Sequence, residues 1–169
     1  MKRTFVDRLA RYRVHLGFAA AAVALMLVRP TPRTWLAGAV VAACGELLRI
    51  WAAGHIEKGR EITRSGPYRF MRHPLYVGSA LIGAGFAMAA WSLPVAVLCA
   101  AYLGLTLAAA VRVEEATLDE RFAGAYSAYR EGRAAPVARR FSLRRAIANR
   151  EYRAVAGLLL AFAWLYWRL

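Results

Sequence analysis

Residues 66–78 carry side chains whose types and spacing suit the binding of a small anionic group. The segment reads GPYRFMRHPLYVG. Its opening Gly-Pro pair indicates a turn, and Pro74 favours the first position of a helix, which places Arg72 and His73 at the helix N-terminus. Unpaired N–H groups and the positive end of the helix dipole attract anions there. We therefore predict that Arg72 and His73 bind a carboxylate; the alternative is that they only anchor the helix among lipid headgroups.

Residues 112–129 combine acidic and aromatic side chains on one predicted helix face. The segment reads RVEEATLDERFAGAYSAY and follows a long apolar run. Three- and four-residue steps predict one continuous amphipathic helix through Glu115, Leu118, Phe122, Tyr126 and Tyr129. The acidic pair at its start, Glu114 and Glu115, suits a cationic or hydroxyl-bearing ligand. The alternative is a solvated face on which these acids pair with neighbouring arginines and contribute little energy.

Glu46 and Arg49 introduce charge into an otherwise apolar stretch. They are three residues apart and therefore lie on one face of a helix. Ionisable groups inside a membrane usually pair, and they often mark a functional cavity. We predict that both residues bind substrate, and the alternative is a simple intrahelical ion pair.

The elements that must position these residues are membrane helices. Of the 169 residues 60% are hydrophobic, and the mean hydropathy is +0.36, whereas soluble domains average roughly 45–50% apolar residues. Between Pro74 and Val111 no residue is charged over 38 positions, which is enough for two spanning helices of about 20 residues each. We predict the turn between them at residues 91–94 (WSLP), because proline favours a helix start. We predict an all-α fold, a polytopic membrane helical bundle that forms one domain over residues 1–169.

Apolar runs mark the approximate spans of this bundle. Their bounds are residues 14–28, 34–56, 74–91, 94–112 and 153–168. The last run is short, so it either crosses the bilayer or lies at its interface. A stripe of small residues at Ser79, Gly83 and Ala87 is predicted to let another helix or a flat ligand approach closely. We predict four to five transmembrane helices plus cytoplasmic amphipathic helices.

The charge distribution predicts the orientation of the bundle. Lys and Arg number 24 against 10 Asp and Glu, and 20 of the basic residues fall in segments 1–13, 58–72 and 112–153. The positive-inside rule therefore predicts a cytoplasmic N-terminus and a cytoplasmic active site, at a prokaryotic inner membrane. Arginines that face anionic lipid explain the excess charge, so we expect membrane lipids and no nucleic acid as partners. The first apolar run lacks a small-residue cleavage site, which argues against a signal peptide.

The two segments resemble motifs of the isoprenylcysteine carboxyl methyltransferase and phospholipid methyltransferase family of integral membrane enzymes. The Gly-Pro-Tyr…Arg-His-Pro-x-Tyr-x-Gly signature is present in full at residues 66–78. The Glu-Glu-x-x-Leu-x-x-x-Phe…Tyr-x-x-Tyr signature follows at residues 114–129, and residues 48–52 (LRIWA) match a frequent family pattern. The resemblance covers about residues 45–130. One departure is Ala123, where the family usually has glycine, and we expect only a small packing change from it.

This resemblance implies a methyltransferase that uses S-adenosylmethionine and transfers methyl groups in line to a lipophilic or membrane-embedded carboxylate, amine or thiol. The implied cofactor-binding residues are Tyr68, Arg72, His73, Pro74, Tyr76, Gly78, Glu114 and Glu115. Our own hypothesis for catalysis is that Arg72 or Arg112 holds an anionic acceptor and that Glu115 acts as a base or orients an amine, with Glu46 and Arg49 as substrate-binding residues, of which Arg49 matches the family pattern. The charges of the cofactor agree, because an Arg/His pair suits its carboxylate and a Glu pair suits its ammonium or ribose. No metal is expected, because His73 and His55 have no third ligand at helical spacing.

Two other classes of function compete with this interpretation. Sterol-reductase-like membrane proteins share the family's fold but use NADPH, and they are generally longer than this chain. A non-catalytic, lipid-binding membrane scaffold is the other alternative. No strand followed by a GxGxxG turn is present, so a Rossmann-type dinucleotide site is not predicted. The sequence leaves the identity of the methyl acceptor and the oligomeric state open.

Overall fold

A computed structural model describes residues 22–57, 61–122, 124–135 and 137–169, and its regular elements are all helical. Residues 22–27 are helical, and residues 14–21 of the first predicted span lie outside the described ranges. The helices that follow are α1 (Pro32–Ala53), α2 (Pro74–Ala90), α3 (Leu93–Arg121), α4 (Ala125–Arg130), α5 (Leu143–Ala148) and α6 (Tyr152–Trp167), with a 3₁₀ turn at Gly66–Arg69 before α2. Within these ranges no strand occurs, and the all-α prediction is confirmed.

Local sequence signals set most helix boundaries. Thr31 and Thr34 form a reciprocal capping box at the start of α1, with each side chain accepting from the other's backbone N–H. Pro74 opens α2 with His73 as the N-cap residue, as predicted. The predicted turn between α2 and α3 is also present: Trp91 adopts a left-handed conformation (φ 47°), and Ser92 occupies the N-cap position of α3 without a side-chain capping hydrogen bond. Short-range chemistry therefore fixes the start of α2, which flanks the charged end of the bundle, and also two helix starts at the opposite end.

The predicted continuous helix through Tyr126 and Tyr129 is wrong. Helix α3 ends at Arg121, and α4 begins only at Ala125. Gly124 has φ 73°, a left-handed conformation that glycine adopts readily and that ends helices. The three- and four-residue spacing continues across this break, so periodicity alone did not reveal it. As a result α4 changes direction and brings its tyrosines to the start of α2.

Helices α1 and α2 pack antiparallel with their backbones in close approach. A Cβ atom added to Gly45 would lie 2.7 Å from the Gly78 carbonyl oxygen, and one added to Gly85 would lie 2.6 Å from the Ala42 nitrogen. The backbones can approach this closely only where the side chain is absent, which is the usual way that helices associate in lipid. Gly78 and Gly85 are therefore the small residues that mediate the α1–α2 contact. Of the predicted stripe of Ser79, Gly83 and Ala87, Gly83 allows the close approach of a different helix, because a Cβ there would meet the Leu103 side chain of α3.

The two ends of the bundle differ in chemistry. At one end Val28, Ala90, Val95 and Leu165 belong to a buried apolar cluster. There the Trp35 indole N–H donates to the Phe162 carbonyl at 3.0 Å, which joins α6 to α1. The start of α2 and the end of α1 lie at the opposite end. Charged side chains gather at that second end.

The C-terminal segment wraps the end of α1 and brings α6 back to the bundle. The Asn149 amide donates to the Ala53 carbonyl at 2.9 Å, and Arg145 Nε donates to the Gly54 carbonyl at 2.8 Å. These side chains satisfy carbonyls that have no partner within a helix end. Arg139 adds an ion pair to Glu61 at 2.8 Å. The residues between α5 and α6 are consequently held against the end of α1.

Two of the described helices, α1 and α3, are long and apolar enough to cross a membrane. The shorter apolar helices α2 and α6 have 17 and 16 residues. Large apolar side chains point outward along these helices, among them Leu36, Leu105 and Leu160. Exposed apolar surface of this extent marks contact with lipid or with another protein.

Substitution of Gly85 by alanine tests the α1–α2 contact. The new Cβ would meet backbone atoms of α1 that cannot move aside, so we expect a loss of about 1–3 kcal/mol in unfolding free energy. Thermal unfolding in detergent, followed by tryptophan fluorescence, measures it. Gly104→Ala in α3 is the control, because among the described residues no atom outside its own helix backbone lies within 4 Å of its Cβ position, and we expect a gain of about 0.5–1 kcal/mol there. Equal shifts for the two variants would contradict the assignment.

Candidate functional site

The two motif segments meet where α2 begins. Arg72 Nη1 lies 3.0 Å from Glu115 Oε1, and His73 Nε2 lies 3.1 Å from the same oxygen. His73 Nδ1 lies 3.7 Å from Glu114 Oε2. The imidazole therefore bridges the two acidic side chains of α3. Groups of both signs are concentrated at one point of the bundle.

Tyrosine side chains surround this charged cluster. The rings of His73 and Tyr76 stack with centroids 5.7 Å apart and an interplanar angle of 27°. The Tyr129 hydroxyl donates to the Tyr68 carbonyl at 2.8 Å, which ties α4 to the 3₁₀ turn. Tyr126 is buried, and burial together with the charge of Glu115 raises its pKa to about 12. The phenol of Tyr126 is therefore neutral at physiological pH.

Tyr68 has a buried hydroxyl that forms no hydrogen bond among the described residues. Burial raises the pKa of Tyr68, and the negative charge of Glu114 acts in the same direction. An unsatisfied buried hydroxyl costs about 1–3 kcal/mol. A ligand that hydrogen-bonds Tyr68 would recover this loss, so the atom indicates where a polar ligand group would lie.

A polar cavity of about 370 Å³ adjoins the cluster, within the range of roughly 300–1,000 Å³ typical of ligand pockets. The lining residues that were predicted from the sequence are Arg49, Tyr68, Arg72, His73, Tyr76 and Glu114. From the C-terminal segment it is lined by Asn149, Arg150, Glu151 and Arg153. The cavity is thus built from α1, α2, α3 and the start of α6. It presents both cations and carboxylates to one enclosed volume.

Arg49 forms its strongest contact with a residue that the sequence analysis missed. Its Nε lies 2.6 Å from Glu151 Oε1, but 3.8 Å from Glu46 Oε2. Arg49 Nη1 also donates to the Ser79 hydroxyl at 2.5 Å. The predicted Glu46–Arg49 pair is therefore present but secondary. Glu151 is the only acidic residue after Glu131 and directly precedes the last apolar run, a signal that could have identified it.

A larger apolar cleft of about 800 Å³ lies beside the polar cavity. Phe86, Tyr102, Leu158 and Trp164 are among its lining residues, from α2, α3 and α6. Arg49, Ser79 and Ala154 line both spaces. The arrangement suits a molecule with a charged end in the polar cavity and an apolar body in the cleft.

The remaining predicted site residues lie outside the polar cavity. Gly78 is buried in the α1–α2 contact, where a Cβ would meet the Gly45 carbonyl, and Pro74 is buried below His73. Arg112 is exposed and lines neither the cavity nor the cleft. Glu115 contacts the cavity residues Arg72 and His73 without lining the cavity itself.

A comparison with known protein families identifies the family of this chain. Residues 16–125 match the model of the phospholipid methyltransferase family. The chain belongs to this family. The family is one of methyltransferases, so the predicted resemblance is confirmed. No curated protein and no solved structure shows significant similarity to the chain.

Part of the cavity lies outside the stretch that matches the phospholipid methyltransferase model. Both motif segments fall mostly within residues 16–125. Asn149, Arg150, Glu151 and Arg153 come from beyond it, and sequence reasoning missed all of them. They contact the site because the C-terminal segment is held against the end of α1. Their position depends on long-range packing that no local pattern shows.

The ionisation of His73 makes stability depend on pH. Its pKa is raised, chiefly by the hydrogen bond with Glu114 and also by Glu115, whereas burial acts in the opposite direction. The protonated ring therefore stabilises the fold fully below the unfolded pKa of about 6.5, and this contribution is lost as pH rises through the higher folded pKa. We expect the Tm in detergent to fall over that window in the wild type. His73→Gln should show a smaller fall, and identical pH profiles would contradict the ion pairs.

Proposed function

We propose that this protein transfers the methyl group of S-adenosylmethionine to a lipophilic or membrane-embedded acceptor. The observation that carries the proposal is the polar cavity of mixed charge that shares Arg49, Ser79 and Ala154 with a large apolar cleft. One space suits a zwitterionic donor, and the other suits an apolar acceptor chain. The family match supports methyl transfer and a lipid substrate. It favours this function over a reductase or a scaffold.

The residues present fit the cofactor. Its carboxylate is matched by Arg72 and His73 at the N-terminus of α2, where backbone N–H groups also favour an anion. Its ammonium and ribose hydroxyls are matched by Glu114, with Glu115 next to it. The buried Tyr68 hydroxyl has no hydrogen-bond partner among the described residues and adds one more donor or acceptor. Gly78 and Pro74 shape the backbone here, and we assign no direct contact to them.

The chain contributes position and water exclusion to the reaction. When bound, S-adenosylmethionine supplies a methyl group attached to a positively charged sulfur. Holding the acceptor in line with that methyl group converts an encounter of two molecules into a reaction within one complex. The apolar walls of the cleft keep water from the acceptor. Arg72 and Glu115 orient each other through their 3.0 Å ion pair, whereas Arg112 is exposed and has no place in this mechanism.

We further propose a topology of four or five spans in one domain, with the N-terminus and the site in the cytoplasm. Helices α1 and α3 have the length and composition of spans. Arg29 lies near the end of α2 that is opposite to the site, since its N–H donates to the Ala90 carbonyl at 2.8 Å. Of the arginine-rich segments, the described parts of residues 61–72 and 112–153 supply charged side chains at the site end. This arrangement agrees with the positive-inside rule.

Substitution of Glu114 by glutamine tests the cofactor site. The change keeps the shape but removes a charge, so we expect affinity for S-adenosylhomocysteine to fall by about tenfold or more, the loss of one charge-assisted hydrogen bond. Titration calorimetry of the detergent-purified protein measures it. Glu120→Gln is the control, because Glu120 is exposed on α3 and should leave affinity unchanged. Wild-type protein that binds NADPH but not S-adenosylhomocysteine would overturn the proposed function.

The acceptor class is tested with methyl-labelled cofactor and total membrane extract. We expect label in the lipid-soluble fraction, because the cleft that meets the cavity is apolar. Mass spectrometry of the labelled product identifies the acceptor. Label found only in water-soluble products would contradict a membrane acceptor.

A further inference from the structure

Two arginines at the start of α6 face the polar cavity without a carboxylate partner. Arg150 and Arg153 both line the cavity and are also exposed to solvent, and among the described residues neither forms an ion pair. The other two arginines of the cavity are different: Arg49 is paired with Glu151, and Arg72 is paired with Glu115. Two guanidinium groups are therefore left to interact with a ligand or with water.

The backbone at Arg150 is in a conformation that favours glycine. Its φ is 62°, in the left-handed region where residues with a Cβ are strained. The position is also held firmly, because the neighbouring Asn149 amide donates to the carbonyls of Ala53 and Ile56. The contacts of Asn149 thus hold Arg150 in this strained conformation, next to the cavity that it lines.

These arginines lie beside the junction of the two spaces. Ala154 lines both the polar cavity and the apolar cleft, and Arg153 immediately precedes it. An amphiphile whose chain lies in the cleft must have its polar end at this junction. Arg150 and Arg153 are then the unpaired charges available to that end.

The charge balance of the cavity favours an anion. Its lining cations are Arg49, Arg72, His73, Arg150 and Arg153, and its lining carboxylates are Glu114 and Glu151. With Glu115, which pairs with Arg72 and His73 from outside the lining, five cationic groups face three carboxylates. The proposed sulfonium donor carries one net positive charge of its own. Like charges repel, so a cationic acceptor would add to the excess and an anionic one would offset it. Arginine also matches the oxygens of a carboxylate or a phosphate better than other cations do.

We propose that Arg150 and Arg153 form an anion site that holds a carboxylate or phosphate at the polar end of the acceptor amphiphile, whose chain lies in the apolar cleft. That the amphiphile is the methyl acceptor rests on the proposed function. The anion site itself does not, because it follows from the two unpaired arginines and the junction.

Binding of matched amphiphiles to the full chain in a neutral detergent tests this site. The probes are tetradecanoate, tetradecyl phosphate, tetradecylamine and tetradecanol, which share one chain length and differ in their polar end, and titration calorimetry gives each affinity. We expect the two anionic probes to bind at least tenfold more tightly than the amine. Inorganic phosphate should bind at least tenfold more weakly than tetradecyl phosphate, because it cannot use the cleft.

Substitution of both arginines locates the selectivity. In the double variant Arg150→Gln and Arg153→Gln we expect the anionic probes to lose at least tenfold in affinity, while tetradecanol and S-adenosylhomocysteine change by less than twofold. Lysine at both positions should retain most of the selectivity. Arg144→Gln is the matched control, because Arg144 is exposed on α5 and does not line the cavity.

Arg150→Gly gives a variant that keeps the fold. Glycine adopts φ 62° without strain, so the thermal stability of this variant should be equal to or higher than that of the wild type. Its affinity for tetradecyl phosphate should be lower. The proposal is overturned if the amine binds as tightly as the anions, if the double variant keeps full anion selectivity, or if inorganic phosphate binds as tightly as its alkyl ester. Failure of the wild type to bind S-adenosylhomocysteine would instead remove the methyltransferase assignment and leave the anion site standing.

Discussion

The architecture of the site depends on how the guanidinium of Arg49 is neutralised. Glu46 is on the same helix but lies 3.8 Å from Arg49 Nε, and its carboxylate oxygens form no hydrogen bond among the described residues. Glu151 approaches the same nitrogen to 2.6 Å. Removing one partner of a buried ion pair is strongly destabilising because the other charge is left uncompensated. Since Glu151 directly precedes α6, this pair fixes the start of α6 against α1. The polar cavity therefore ends, and the apolar cleft begins, at the place that Arg49 occupies.

Close packing of α1 on α2 makes this position of Arg49 possible. A Cβ added to Gly78 would lie 2.5 Å from Arg49 Cγ and 2.7 Å from the Gly45 carbonyl oxygen. Any larger residue at position 78 would displace both the helix and the arginine. The glycine of the first motif thus acts on the site indirectly, by letting Arg49 cross to the Ser79 hydroxyl of α2. A motif residue can be required for a site without contacting any ligand, which explains why Gly78 lies outside the cavity.

Local chemistry was predictable from the sequence, and long-range packing was not. The position of Pro74 at the start of α2 and the turn at Trp91 follow from signals that act within a few residues, so both predictions are confirmed. The break at Gly124 was missed because apolar and acidic spacing continues across it. Glu151 was missed for a different reason: it reaches Arg49 across 102 residues of sequence, through a segment whose path is set by contacts with the end of α1. The meeting of the two motif segments was predicted, whereas the wall that completes their cavity was not.

Site residues inside and outside the stretch that matches the family model differ in how their charges are balanced. Within residues 16–125 the charges of the site neutralise one another, as Arg72 and Glu115 do at 3.0 Å. A zwitterionic ligand carries a carboxylate and an ammonium, so each of its groups can replace one partner of such a pair. The exchange therefore costs little energy. Arg150 and Arg153 have no such internal partner among the described residues, so an anion adjacent to them restores neutrality instead of competing for it. The paired charges of the donor site thus suit a ligand that carries both signs, whereas the anion site proposed at Arg150 and Arg153 would suit an acceptor with a negative polar end.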